Sequence, residues 1–254
     1  MGGKLSLGAA LGEAFGFAAM AWRRAPIGCL LVMVALLVPT VIGERAVLAL
    51  VALPLALMQA GAALFGWTSI LRAAMQAPRD PAAQGRDAAR LLGSIFLNSL
   101  FLCLIVMVLG LVILGVAGAT GLPDGEDLSM ATYVAAAEGG WETYVLLAIQ
   151  IAALILVLSL SARLLAAGPG TLSEQRVVSL QALTWTRGSG LKPALGLVAV
   201  LAPTWVLALS ALLLPFEADW IDWVWAGVLA VIQAPLLAGY SVGLWRAVRT
   251  GEPS

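Results

Sequence analysis

Histidine is missing from this chain of 254 residues, and cysteine occurs only twice. Without histidine there is no imidazole to act as a general base, to bind zinc or to change charge near neutral pH. Cys29 and Cys103 both fall inside apolar segments and show no metal-ligand spacing, so neither a structural disulfide nor a cysteine metal site is expected. The sequence also has no nucleotide loop and no serine elbow. We therefore predict no catalytic residue, no metal site and no cofactor.

Charged residues are scarce as well. They make up 11% of the chain, against about 25% in an average soluble protein. Hydrophobic residues reach 61% and the mean hydropathy is +0.99. A chain this apolar cannot cover its surface with polar groups, so its solvent must be lipid. No basic folded domain is left over, which excludes nucleic acid as an expected partner.

Long apolar runs define the fold. A helix needs about 20 apolar residues to cross a hydrocarbon core of about 30 Å. Six segments meet this length: Pro26–Gly43, Ala46–Leu71, Leu91–Ala117, Tyr144–Leu165, Pro193–Pro215 and Trp223–Trp245. The predicted fold class is all-α, a polytopic membrane bundle of six transmembrane helices in three hairpins. The whole chain, 1–254, forms a single membrane domain.

The few charges are sorted by side. With these spans, every lysine and arginine except Arg45 falls on one face. Most carboxylates share the opposite face, and many of them lie in the connection 118–143. Lysine and arginine near span ends mark the cytoplasmic side. We therefore expect a bacterial inner-membrane protein with cytoplasmic N and C termini.

Three basic cytoplasmic segments, 1–25, 72–90 and 166–192, each precede a pair of spans, and 246–254 forms a cytoplasmic tail. Ser6 is placed to cap the first helix, and Asp80 followed by Pro81 is typical of a helix start. In the third segment, Thr171 and Glu174 resemble a capping box that follows the breaker at 168–170. These patterns predict short interfacial helices.

Two stretches carry a family resemblance. They are Leu5-Ser6-Leu7-Gly8 through Glu13-Ala14-Phe15, and Glu174 through Gln181-Ala182-Leu183-Thr184-Trp185-Thr186-Arg187-Gly188. Together with the layout of most of the chain, they resemble bacterial six-span proteins similar to the membrane domain of glycerophosphoryl diester phosphodiesterases, including the YciC-like proteins. The resemblance implies a membrane domain without the phosphodiesterase catalytic domain.

Small residues in the first helix give one candidate site. Gly8, Gly12 and Gly16 recur every four residues and form a stripe if that helix is regular. Each glycine costs a helix about 1 kcal/mol relative to alanine, a cost that close approach of another backbone can offset. The stripe therefore predicts docking onto the spans or a partner, although accidental spacing in a glycine-rich helix remains an alternative.

Cations and intramembrane amides give the other candidates. Basic side chains near the anionic leaflet can bind lipid headgroups, although the topology signal alone also explains them. The candidates are Arg23, Arg24, Arg72, Arg90, Arg187 and Lys192. The amides either line a path or make interhelical hydrogen bonds. They are Gln59, Asn98, Gln150 and Gln233.

These observations favour a non-enzymatic protein that binds membrane lipids, including anionic lipids, or another membrane protein, a second copy of itself included. No Asp or Glu lies inside a predicted span, which argues against an ion-coupled carrier. The alternative is a transporter of small solutes or lipids. Its support comes from spans interrupted by proline, at Pro39, Pro54, Pro203 and Pro235.

Overall fold

The computed structural model describes residues 6–42, 49–119, 141–213, 224 and 227–249, and its regular elements in these ranges are helices. In chain order they are α1 Leu7–Arg24, α2 Pro26–Ile42, α3 Ala49–Ala74, α4 Pro81–Ala119, α5 Trp141–Leu164, α6 Ala167–Glu174, α7 Gln181–Trp185, α8 Lys192–Val200, α9 Ala202–Leu213 and α10 Ala234–Arg249. A π-helical turn, Leu229–Gln233, leads into α10.

Three segments of the described chain are long and apolar enough to cross a membrane: Pro54–Ala74, Pro81–Val116 and Tyr144–Glu174. The number rises to five if each of two bent helix pairs, α1 with α2 and α8 with α9, is one span. The chain is therefore an all-helical protein compatible with several membrane passes. Six spans in three hairpins stay a prediction. The predicted connections at 44–45, 216–222 and most of 118–143 lie outside the described residues.

Local start signals placed two helices correctly. The backbone N–H of Ala9 bonds the Ser6 hydroxyl at 3.4 Å, and α1 begins at the next residue, Leu7. The N–H of Ala82 bonds the Asp80 carboxylate at 2.9 Å, and α4 begins at Pro81. Helix α4 then continues without a break into the apolar segment, as expected.

The third interfacial helix differs from the prediction. Helix α6 begins at Ala167, so it includes residues 168–170, which were expected to break the helix. Pro169 is tolerated because backbone N–H groups in the first turn have no acceptor within the helix, so its missing N–H costs no hydrogen bond. Thr171 therefore caps nothing: its hydroxyl accepts from the Val178 N–H at 3.0 Å and donates to the Val178 carbonyl at 3.3 Å. The capping-box interpretation was wrong, and Glu174 ends the helix instead of supporting its start.

Helix α10 is the centre of the packing. Its residues from Ala234 to Leu244 are buried, apart from the half-buried Leu237. Two hydrophobic clusters meet on it, one with α1, α5, α6 and α8, the other with α1, α2, α3, α4 and α6. The densest packing therefore lies beside the basic helix ends. In the apolar stretch of α4, by contrast, the most hydrophobic window has no buried residue.

Helix α1 docks on α10 through alanines. Ala10 and Ala14 are fully buried, and they face Gly243 and Gly239 of α10 in antiparallel order. A Cβ atom added at Gly239 would lie 2.8 Å from the Ala14 Cα, and one at Gly243 would lie 2.9 Å from the Ala10 Cα. The two backbones therefore touch, and the glycines that permit it belong to α10.

The predicted stripe of Gly8, Gly12 and Gly16 lies on another face of α1. All three are exposed, and nothing stands within 4 Å of a Cβ atom added at any of them. As a dock onto the described spans the stripe was wrong, because the alanine face had the closer fit to α10. Docking of the stripe onto a partner stays a prediction.

Candidate functional site

The chain makes a sharp elbow between α1 and α2. Their axes differ by 94°. Proline disfavours helical backbone at the residue before it, and Ala25, which precedes Pro26, has φ −138° and ψ 55°. The elbow carries Arg24, the last residue of α1, to the loop between α3 and α4.

One arginine holds that loop against the elbow, and a second ties the loop to the end of α3. The Arg79 guanidinium donates to the Arg24 carbonyl at 3.0 Å, and the Arg72 guanidinium donates to the Pro78 carbonyl at 2.7 Å. Gln76 takes the left-handed conformation, φ 60°, which turns the chain after the end of α3. The first residues of α2 and α4, Pro26 and Pro81, therefore lie beside the same region.

Between the elbow and the loop lies a groove with a volume of about 690 Å³. We call it the elbow groove. Its polar lining includes Arg24, Arg72, Arg79, Asp80, Gln76 and Gln84. Its apolar lining includes Ile27 of α2 and Phe65 of α3, whose exposed fractions are 70% and 38%. The groove thus combines guanidinium groups with an apolar wall.

The groove rests on a buried ion pair. Arg72 at the end of α3 pairs with Asp87 in the first turns of α4, and both side chains are at most one-tenth exposed. The other carboxylate oxygen of Asp87 accepts from Arg90 at 3.2 Å and from Gln175 at 3.4 Å. Breaking such a pair leaves a buried charge without compensation, so this contact fixes α3 against α4.

Some arginines on this face form ion pairs with carboxylates, and others do not. Glu13 pairs with Arg246 at 2.7 Å, and Glu174 pairs with Arg249 and with Arg176. Arg249 also stacks 5.0 Å from the centre of the Trp185 ring. Among the described residues, no ion-pair partner is found for Arg24 or Arg79. The positive charge of the groove therefore belongs mainly to these two side chains.

The structure divides the predicted headgroup residues. Arg24 and Arg72 line the elbow groove, whereas Arg23, Arg90, Arg187 and Lys192 lie elsewhere. Arg90 is held by Asp87 and Gln175. Arg79 belongs to the same set of predicted cytoplasmic cations, although it was not one of the six residues singled out. The signal for it was local, because the Asp80-Pro81 helix start places Arg79 just outside α4 and next to a turn.

Gln59 bonds a backbone carbonyl that a proline leaves free. Its amide N–H donates to the Ala35 carbonyl at 2.8 Å. In a regular helix that carbonyl would accept from residue 39, which is a proline and has no N–H. Gln59 thus joins α3 to α2 and satisfies the freed carbonyl.

Gln233 acts similarly at the bend between α8 and α9. It donates to the Val200 carbonyl at 3.0 Å and accepts from the Thr204 hydroxyl at 2.8 Å. Asn98 accepts from the Ser179 hydroxyl at 2.9 Å, which fixes the segment after α6 against α4. Gln150 also has an interaction within the chain. None of these four amides lines the elbow groove.

Within the part of the chain that the structure describes, no three His, Cys, Asp or Glu residues come together as metal ligands. Cys29 is buried, Cys103 is exposed, and both are free thiols. The elbow groove is lined by arginines, amides, one carboxylate and apolar side chains.

Comparison with protein-family models, with curated proteins and with solved structures gave no match to this chain. The resemblance to YciC-like proteins therefore stays a prediction from the residues quoted above.

Proposed function

We propose that this is a non-enzymatic integral membrane protein of the bacterial inner membrane, with cytoplasmic termini, which binds a phosphate-bearing anion in the elbow groove. It would act as a lipid-binding or scaffold component of the envelope. The observation that carries the proposal is the pair Arg24 and Arg79, which line one groove and form no ion pair with any described residue. Guanidinium groups bind phosphate through paired, charge-assisted hydrogen bonds.

The site has the rigidity that selective binding requires. Arg79 is tied to the elbow at 3.0 Å and Arg72 to the loop at 2.7 Å. The ion pair between Arg72 and Asp87 holds together α3 and α4, the two helices that this loop connects. A groove whose walls are already fixed loses less conformational freedom when a ligand binds, which favours affinity.

The transporter alternative has less support. It relies on broken spans and on a polar path lined by the glutamines. Gln59 and Gln233 instead bond carbonyls beside a proline or a helix break, which gives both residues a role in packing. This use of the amides is common in membrane helices, where a freed backbone group must find a partner.

The test compares two charge-matched variants of the full chain. One carries Arg24→Gln with Arg79→Gln, and the other carries Arg23→Gln with Arg187→Gln. Each would be extracted from the membrane in a lipid-retaining polymer and analysed by native mass spectrometry. The wild type and the second variant should retain an anionic component, and the first should lose it.

Equal retention by both variants would show that the groove is not the site. A protein subunit retained in place of an anionic molecule would also contradict the proposal, because it would favour an accessory role. Circular dichroism and gel filtration of both variants separate loss of binding from loss of folding.

A further inference from the structure

Polar side chains line the elbow groove at the loop, and apolar side chains line it on α2 and α3. Arg24, Arg79 and Asp80 stand at the loop, whereas Phe65 lies nine residues before the end of α3 at Ala74. Nine residues of helix span about 14 Å. Phe65 belongs to Pro54–Ala74, a segment able to cross a membrane. The groove therefore runs from the basic surface alongside a membrane segment.

This layout matches one class of ligand. We infer that the elbow groove holds a phospholipid, with its phosphodiester between Arg24 and Arg79 and an acyl chain along Ile27 and Phe65. The inference rests on the proposed function and identifies its ligand. A soluble anion would occupy the guanidinium end alone and leave the apolar wall uncovered.

The charges of the groove define the headgroup. Asp87 forms its shorter ion pair with Arg72, and Arg90, which shares Asp87, lies outside the groove. Among the side chains that line the groove, Arg24 and Arg79 therefore face only the Asp80 carboxylate. The groove then carries one net positive charge, which a phosphodiester with one negative charge balances. A phosphomonoester carries about −1.5 to −2 at neutral pH and would leave an excess negative charge beside Asp80. A choline headgroup would bring a cation next to the arginines. The expected ligand is a monoanionic lipid such as phosphatidylglycerol.

Size and hydrogen bonding agree with this ligand. About 690 Å³ falls in the range of about 300–1,000 Å³ that is usual for small-molecule pockets. Gln76 and Gln84 also line the groove, and the Gln84 amide reaches the Phe65 carbonyl at 3.3 Å. The Gln76 amide can both donate and accept hydrogen bonds, which suits the hydroxyl groups of a glycerol headgroup.

The experiment uses the delipidated full chain in a non-ionic detergent. It is titrated with phosphatidylglycerol, phosphatidic acid or phosphatidylcholine. Glycerophosphoglycerol, which is the phosphatidylglycerol headgroup without acyl chains, is added both alone and as a competitor of phosphatidylglycerol. Native mass spectrometry reports stoichiometry and Kd. Two variants, Arg24→Gln and Phe65→Ala, each have a matched control outside the groove. The controls are Arg23→Gln and Phe96→Ala, since Phe96 is an exposed phenylalanine of α4.

One phosphatidylglycerol should bind per chain, more tightly than the other two lipids. Arg24→Gln should weaken it about tenfold through the lost charged hydrogen bonds. Phe65→Ala should weaken it about fivefold through lost apolar contact. The controls should bind as the wild type does, and glycerophosphoglycerol should not compete.

Competition by glycerophosphoglycerol, or equal binding by Phe65→Ala and Phe96→Ala, would show that the acyl chain does not contribute to binding. The inference of a phospholipid ligand would then be wrong, although an anion site at the groove would remain. Equal affinity for phosphatidylcholine would overturn the charge argument. Failure of all four ligands to bind the wild type would overturn both this inference and the proposed function.

Discussion

Alanine at Gly239 should loosen the dock of α1, although alanine is the better helix former. The new Cβ atom would stand 2.8 Å from the Ala14 Cα and 3.0 Å from the Glu13 carbonyl oxygen. Favourable carbon–carbon contacts lie at about 3.5–4.0 Å, so α1 must retreat by nearly an ångström. Both near atoms are backbone, which has no rotamer change available to it.

The same substitution at Gly12 provides the matched control. Nothing lies within 4 Å of a Cβ atom there, and Gly12 is also in a helix interior. Both variants gain the helix propensity of alanine, about 1 kcal/mol. The difference between them therefore isolates the steric cost, which overpacking places at about 1–3 kcal/mol. Gly239→Ala should be the less stable variant by that amount.

Two assays measure the effect. Unfolding of the purified full chain in detergent gives the free-energy difference between the variants. Hydrogen exchange of the α1 amides reports the dock itself, and exchange should accelerate in Gly239→Ala alone. Equal stability and equal exchange in the two variants would refute the alanine-face dock. A larger loss in Gly12→Ala would point to the glycine stripe predicted from the sequence.

Three further predictions test the support of the groove, the packing and the topology. Asp87→Asn should destabilise the chain by about 3–5 kcal/mol in the same unfolding assay, because the buried Arg72 charge loses the carboxylate that balances it. Replacing both partners with apolar residues, Arg72→Met with Asp87→Leu, should recover most of that loss of stability. If Asp87→Asn costs less than about 1 kcal/mol, the ion pair contributes only as much as an exposed one. Gln59→Leu should cost about 1 kcal/mol in the wild type and less in a Pro39→Ala background, where the new N–H can bond the Ala35 carbonyl. Additive effects in that double-mutant cycle would contradict the proposed link. With Cys29 and Cys103 replaced by alanine, single cysteines at Glu44, Asp124 and Asp219 should react with an impermeant maleimide from outside the cell, and those at Arg79 and Arg187 only after permeabilisation. Protection of any of the first three sites would exclude the six-span topology.

Local chemistry decided several features from the sequence alone. Ser6 and Asp80 satisfy orphan N–H groups of their own helices, so the starts of α1 and α4 follow from residues a few positions apart. Apolar length determined which segments are able to enter a membrane. Of the six cations selected from the charge distribution, Arg24 and Arg72 line the groove.

Tertiary packing decided the rest. The glycine spacing in α1 predicted that this helix docks through its glycine face. In the structure α1 packs on α10 through Ala10 and Ala14, and this contact depends on Gly239 and Gly243, more than 200 positions away. The predicted capping box was wrong because the Thr171 hydroxyl bonds the backbone of Val178 and not the start of its own helix. The elbow groove needs the ends of α1 and α3 and the starts of α2 and α4 together. Short-range sequence patterns carry no information about contacts that burial and shape create between distant segments. The contact between Arg79 and Arg24 could therefore be seen only in the tertiary structure.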